Sequence, residues 1–200
     1  MAHGTNIRSD AWIRLRAATK SAHEALERLP PLARMFSVDY SLAELTAMLT
    51  GMLSALEPLE AQLVGTVEAA AIGYIPRSLL LHQGLERLGA AKPVLIPTSV
   101  PTLSTSAARM GAFYVVEGAI LGGQVIRRRL VDRFGETIGD ALAFYSPYGD
   151  DVGGQWIRFR TALERFIATD SLYGEAERAA LATFTAISSV MAFTTEHVPD

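Results

Sequence analysis

The chain reads as an all-α protein, and three observations carry that reading. Apolar residues recur at spacings of three and four along most of its length, the period of a helix with one buried face. Helix start and stop signals flank those runs. The one β-prone stretch, residues 92–103 (KPVLIPTSVPTL), carries three prolines, too many for a central strand. The architecture expected is a single irregular helical bundle of about six main helices. Residues 1–9 are expected to be a flexible tail and residues 10–200 one domain.

Asp10–Leu29 is the first predicted helix. Its stripe is Leu15, Ala18, Ala22, Leu26 and Leu29, and Pro30-Pro31 stops it. Ser41 and Glu44 form a capping box that opens a long helix to about Val64. Pro58 lies inside and is expected to kink or divide it. A further helix is predicted over Pro76–Gly89, and residues 92–103 follow as an extended loop. Ser104 or Thr105 caps the next helix, which continues to about Phe134 if its glycines permit. A loop over Ser146–Gly154 precedes a helix from about Gln155 to Thr169. Ser171 then caps a last helix running to about Thr195.

Composition narrows the function classes. Two hundred residues support one full hydrophobic core and hardly two. A net charge of −3 argues against general nucleic-acid binding. The absence of cysteine removes disulfides, thiolate metal sites and thiol nucleophiles together. No basic-then-apolar signal pattern opens the chain. No apolar run reaches the roughly 18–20 residues of a membrane span. A cytoplasmic protein with no membrane partner is expected.

Two segments carry chemistry. The first is Leu15–Glu27 (LRAATKSAHEALE), with His23 on the border of the apolar stripe. There a ring can be held by packing while its outer nitrogen reaches a cavity. Thr19 or Glu27 could hold the other nitrogen. The structural alternative is a half-exposed histidine bonded to Glu27. The second is Tyr114–Leu130 (YVVEGAILGGQVIRRRL), a helix interrupted by glycines. Each mid-helix glycine costs about 1 kcal/mol relative to alanine. Gly111, Gly118 and Gly122 nevertheless fall on one side of the wheel, and Gly122-Gly123 offers a point to bend. Either another helix or a flat ligand must approach closely along that line.

Together these segments resemble the haem oxygenases, specifically the small bacterial type associated with phytochromes. The resemblance rests on LRAATKSAHEALE, on FYVVEGAILGGQVI and, more weakly, on WIRFRTAL (Trp156–Leu163), and it covers most of the chain. It implies haem held between an N-terminal proximal helix and a glycine-kinked distal helix. His23 would be the iron ligand, and Gly118, Gly122 and Gly123 would mark the distal helix. Arg16 and Arg160 would pair with haem propionates. Tyr114 or Phe113 would meet the haem edge, and Arg129, on the glycine face, would approach it. Haem would be both substrate and cofactor, opened to biliverdin with release of CO and ferrous iron. Mammalian-type members place an aspartate where this chain has Ala119. Ordered water would then be held by bare backbone, or by Gln124 or Glu117, whose plainer roles are solvation and helix packing.

Electrons must come from an external ferredoxin or reductase, since no flavin or nicotinamide fingerprint is present. Arg127, Arg128, Arg129 and Arg133 form the densest basic cluster and offer a docking surface, or simply complement a helix C-terminus. A biliverdin-accepting phytochrome is the implied partner. The competing function is a haem-binding or haem-transfer protein that does not degrade its ligand. Thiaminase-like relatives need a cysteine nucleophile. Di-iron bundles use Glu-x-x-His pairs, which are absent here. His82 reads as a surface or packing residue. His3 and His197, near the termini, are weak candidates.

Overall fold

A computed structural model describes residues 11–90 and 92–196, with no side-chain description for 195 and 196. The expected tail, His3, His197 and the proposed first helical residue Asp10 lie outside the described residues. Among the described residues the chain is helical, with no strand. The helices are α1 (Ala11–Glu27), α2 (Pro30–Ala33), α3 (Leu42–Leu63), α4 (Val67–Ile72), α5 (Arg77–Arg87), α6 (Ser106–Gly118), α7 (Ile120–Phe134), α8 (Val152–Phe166) and α9 (Asp170–Glu196). Short 3₁₀ turns at Arg34–Phe36, Glu136–Ile138 and Ala143–Tyr145 join them.

Local chemistry accounts for most boundaries. The Ser41 hydroxyl accepts from the Glu44 N–H while the Glu44 carboxylate accepts from the Ser41 N–H, the reciprocal box expected. Thr105, one of the two caps foreseen for the glycine-bearing helix, accepts from the Ala108 N–H. Thr169, not Ser171, caps α9, accepting from the Leu172 N–H. Pro58 does not divide α3. Short α4, capped by Thr66, was not foreseen, because six residues are too few to show a period.

α9 is the central helix, packed along α1, α3 and α6. Small residues on its inner face (Ala176, Ala179, Ala180) let α6 approach closely, while Phe184, Ile187 and Met191 fill the wider gaps. The α1 stripe delivers Leu15 fully buried, worth about 2 kcal/mol of apolar burial. Residues 92–103 run extended, as expected from their prolines. Both ends of the Gln62 side-chain amide hold them, donating to the Pro101 carbonyl (3.0 Å) and accepting from the Leu103 N–H (2.8 Å).

The glycine-bearing helix is interrupted once. α6 ends at Gly118 and α7 begins at Ile120, with Ala119 between them still in right-handed helical dihedrals (φ −63°, ψ −26°). The bend expected at Gly122-Gly123 is therefore not where the helix breaks; both glycines lie within the first turn of α7.

Candidate functional site

α1 and α6 meet at Thr19 and Tyr114, whose hydroxyl oxygens lie 3.5 Å apart. His23 stands one turn beyond Thr19 on α1, and Gly118 one turn beyond Tyr114 on α6. His23 also meets α9, through Phe184, and α9 packs against both α1 and α6.

On the α1 side, Leu15 and Thr19 are buried against the bundle and His23 is turned outward, its side chain 57% exposed. The ring stands edge-on to Phe184 of α9, centroids 5.9 Å apart. Nδ1 lies 3.6 Å from Glu27 Oε2, an i,i+4 neighbour beyond hydrogen-bond length. The Thr19 hydroxyl is already committed, donating to the Leu15 carbonyl at 2.7 Å. With Nδ1 turned to Glu27, Nε2 is the nitrogen left for a ligand.

The glycines divide into two pairs with different jobs. A Cβ on Gly111 would collide with the Ala176 carbonyl of α9, and one on Gly123 with the Tyr145 carbonyl. These two are glycine because backbone packs on them. A Cβ on Gly118 or Gly122 would meet nothing within 4 Å. Only the second pair strips a wall bare toward open space. Gly123 therefore serves close packing, and so does Gly111, which the wheel could not separate from Gly118 and Gly122 because its neighbour, Ala176, is remote in sequence.

Tyr114 and Phe113 also separate. Phe113 is fully buried, edge-on to Tyr74 at 4.9 Å, and belongs to the core. Tyr114 is half-buried beside α1. Burial pushes its phenol pKa up, and Thr19 and the Arg16 charge pull it part of the way back.

Arg16 is exposed on the α1 face next to Tyr114. One turn earlier, Trp12 carries the Arg160 guanidinium 4.6 Å above its ring and meets Trp156 edge-on at 6.2 Å. Two cations from α1 and α8 thus lie toward the N-terminal end of α1, Arg16 about 10 Å and the Arg160-bearing Trp12 about 16 Å along the axis from His23. Arg129 is placed differently, its guanidinium 4.7 Å over the exposed Phe36 ring. The basic cluster around it is not one free patch. Arg133 donates to the carbonyls of Ser37, Val38 and Tyr40, and Arg127 donates to that of Gly139. Both are used inside the protein.

Glu117 is neither solvated nor simply packed. It is fully buried, and Arg77 Nη2 donates to its Oε1 at 2.6 Å. The Tyr148 hydroxyl donates to the same oxygen (3.0 Å) and Gln155 Nε2 to the other (2.9 Å). Behind this pair Glu60 accepts from the hydroxyls of Tyr74 and Ser78 and from two backbone N–H groups. Sequence reasoning missed Arg77, Tyr148, Gln155 and Glu60. Glu60 had a readable signal, since it interrupts the apolar run Leu56, Leu59, Leu63 on α3. Gln124 is exposed and donates to the Gly149 carbonyl (3.1 Å).

The residues present fit a flat, dianionic macrocycle with a central metal. The donor set comprises a bare stretch of helix backbone at Gly118 and Gly122, an outward imidazole at His23 and the cations Arg16 and Arg160. Among the described residues no cluster of three or more acidic or histidine side chains offers a rival metal site. His82 pairs with Glu57 on the surface.

This is the class of all-α proteins with the haem oxygenase fold. The chain superposes on heme oxygenase from Leptospira interrogans with a TM-score of 0.73 at 16% identity, covering 92% of this chain and all of that one. On heme oxygenase-2 from Synechocystis sp. PCC 6803, solved with heme and NO, the TM-score is 0.74 at 16% identity over 94% of this chain and 86% of that one. Heme oxygenase-1 of the same cyanobacterium, solved with heme, gives 0.70 at 13% identity over 92% and 91%. In sequence, the chain is 34% identical over 111 residues to a heme oxygenase of Xanthomonas campestris pv. campestris (strain 8004). That alignment covers 56% of this chain and 64% of the relative, so just under two thirds of the relative's length is matched. No protein-family model matches. The all-α fold expected from the sequence holds, and the chain is similar to haem oxygenases both in fold and in sequence.

Proposed function

We propose that this chain is a haem oxygenase. Bound haem supplies the chemistry: with O2 and electrons from outside, its ring is opened to biliverdin, releasing CO and ferrous iron. The single observation that carries the proposal is the division of the glycines. Gly111 and Gly123 are consumed by packing, while Gly118 and Gly122 stay bare on a helix whose Tyr114 touches the His23-bearing helix at Thr19.

The protein's own residues would do the following. His23 offers Nε2 to the iron, its ring oriented by Glu27 and braced by Phe184; a neutral imidazole lacks the strong push of a thiolate. Arg16 and Arg160 would pair with the two propionates and so orient the group. Tyr114 borders its edge. Gly118 and Gly122 would let helix backbone approach the bound group closely, keeping bulk water and side chains away from it. With Ala119 in place of an acid, the polar groups on that face are backbone carbonyls and whatever water they hold.

Arg129 would reach the haem edge by leaving the Phe36 ring that engages it. Electrons come from a separate ferredoxin or reductase, and the biliverdin goes to a separate acceptor, with a phytochrome as the natural class. Among the described residues no helix is long and apolar enough to cross a membrane, and the cytoplasm is the proposed location.

Adding haem and then ascorbate in air tests the reading. A Soret band should form, then decay as a biliverdin spectrum rises. A stable Soret band would instead make the chain a haem-binding or transfer protein.

A further inference from the structure

The break between α6 and α7 has contacts on both sides from one short segment. Tyr145–Gly149 lies behind it. The Tyr148 hydroxyl reaches Glu117, in the last turn of α6, at 3.0 Å. The Gly149 carbonyl accepts from Gln124, in the second turn of α7, at 3.1 Å. Between them the Tyr145 carbonyl packs on Gly123 so closely that no Cβ could intervene. We propose that Tyr145–Gly149 is a brace that sets how α7 is placed against α6, with Glu117, Gln124 and Tyr148 as positioning residues. It rests on the reading above only in what the placement is for, the height of the Gly118–Gly122 wall over haem.

The local backbone does not explain a fixed break by itself. Ala119 is in helical dihedrals, and the Gly123 N–H still donates to the Ala119 carbonyl at 3.1 Å. A flanking glycine makes that joint soft. A soft joint under a catalytic wall needs external support, because small displacements there misplace a reacting group.

The brace is itself anchored. The buried Tyr145 ring sits with its hydroxyl 3.8 Å from Met48 Sδ on α3. Arg77 holds Glu117 from α5 and donates from its other arm to the Ile75 carbonyl at 2.6 Å. Gln155 holds Glu117 from α8, its amide oriented by Arg158 Nε at 3.0 Å, and Arg158 is held by Asp151 at 3.1 Å. Glu117 thus receives donors from three separate elements. The buried carboxylate that a simple helix would not need has this use: it ties the end of α6 to the brace.

The test uses the haem-free chain first. Tyr148→Phe keeps the ring and removes the hydroxyl; Gln124→Ala removes the amide from an exposed position. In the double variant, which loses both the Tyr148–Glu117 and the Gln124–Gly149 hydrogen bonds, amide hydrogen exchange across residues 119–124 should accelerate by about tenfold or more, while the α3 core over residues 48–56 keeps its parental rate. The haem dissociation constant should rise in the same variants. Unchanged exchange over 119–124 would overturn the proposal. Equal acceleration in α3 would also overturn it, by showing general loosening instead of local positioning. If the double variant does not fold, Gln124→Ala alone is read the same way. If the parent chain binds no haem, the functional proposal fails while the exchange comparison still decides the brace.

Discussion

Adding one methyl group to each of two neighbouring glycines should have opposite effects on the empty protein. At Gly122 a Cβ meets nothing within 4 Å, and the position is in the first turn of a 15-residue helix. Replacing glycine by alanine there removes backbone freedom from the unfolded chain, worth about 0.5–1 kcal/mol. For a chain of this length that raises Tm by about 2–4 °C per kcal/mol. At Gly123 the same gain is set against a collision with the Tyr145 carbonyl, a backbone atom that cannot rotate away. Overpacking of that kind costs about 1–3 kcal/mol, so the net effect is destabilising. Thermal unfolding of both variants without haem reads the difference. Haem titration then reads the converse, because the Gly122→Ala methyl projects into the space assigned to the ligand. The variant that is more stable empty should bind haem more weakly than the parent. The reasoning is refuted if both variants lose the same stability, or if Gly122→Ala binds haem like the parent.

His23→Ala should abolish the histidine-ligated haem spectrum and coupled biliverdin formation while leaving the unfolding transition within about 0.5 kcal/mol, since the side chain is mostly exposed. Normal binding and turnover in that variant would move the iron ligand elsewhere. A second expectation concerns acid. Against the upward push of burial, hydrogen bonds from Arg109 and Ser106 and the Arg109 charge hold the Glu68 carboxyl down to about 2. A carboxyl lowered on folding stabilises the protein above its unfolded pKa near 4.5, and that contribution is lost as pH falls towards 2. Urea unfolding between those values should therefore show stability falling with pH, and Arg109→Met should flatten the slope. An unaltered slope would show that Arg109 does not hold Glu68 in its charged form.

Much of the fold could be read because helix signals are local. The Ser41–Glu44 box, the Thr105 cap and the stripe around Leu15 are all set by residues three or four apart, and all appear where expected. The misses follow the same physics. α4 is too short to show a period, and Pro58 is absorbed within α3. Thr169 outcompetes Ser171 as a cap because both are plausible within one turn. At the site, His23 facing outward was legible from its border position. The partners of Glu117 were not, since Arg77 lies 40 residues away and only packing brings the two together.

The sequence by itself determined that the chain would be a helical bundle with an imidazole on one helix and a line of side-chain-free positions on another. Periodicity and composition specify those two faces without knowledge of their neighbours. The tertiary structure alone decided which glycines are spent on packing and which are left bare, and that Glu117 would serve as an anchor. A missing Cβ has meaning only relative to the atom that would meet it. For Gly111 and Gly123 that atom is a carbonyl brought by a remote segment, whereas at Gly118 and Gly122 no atom lies within 4 Å.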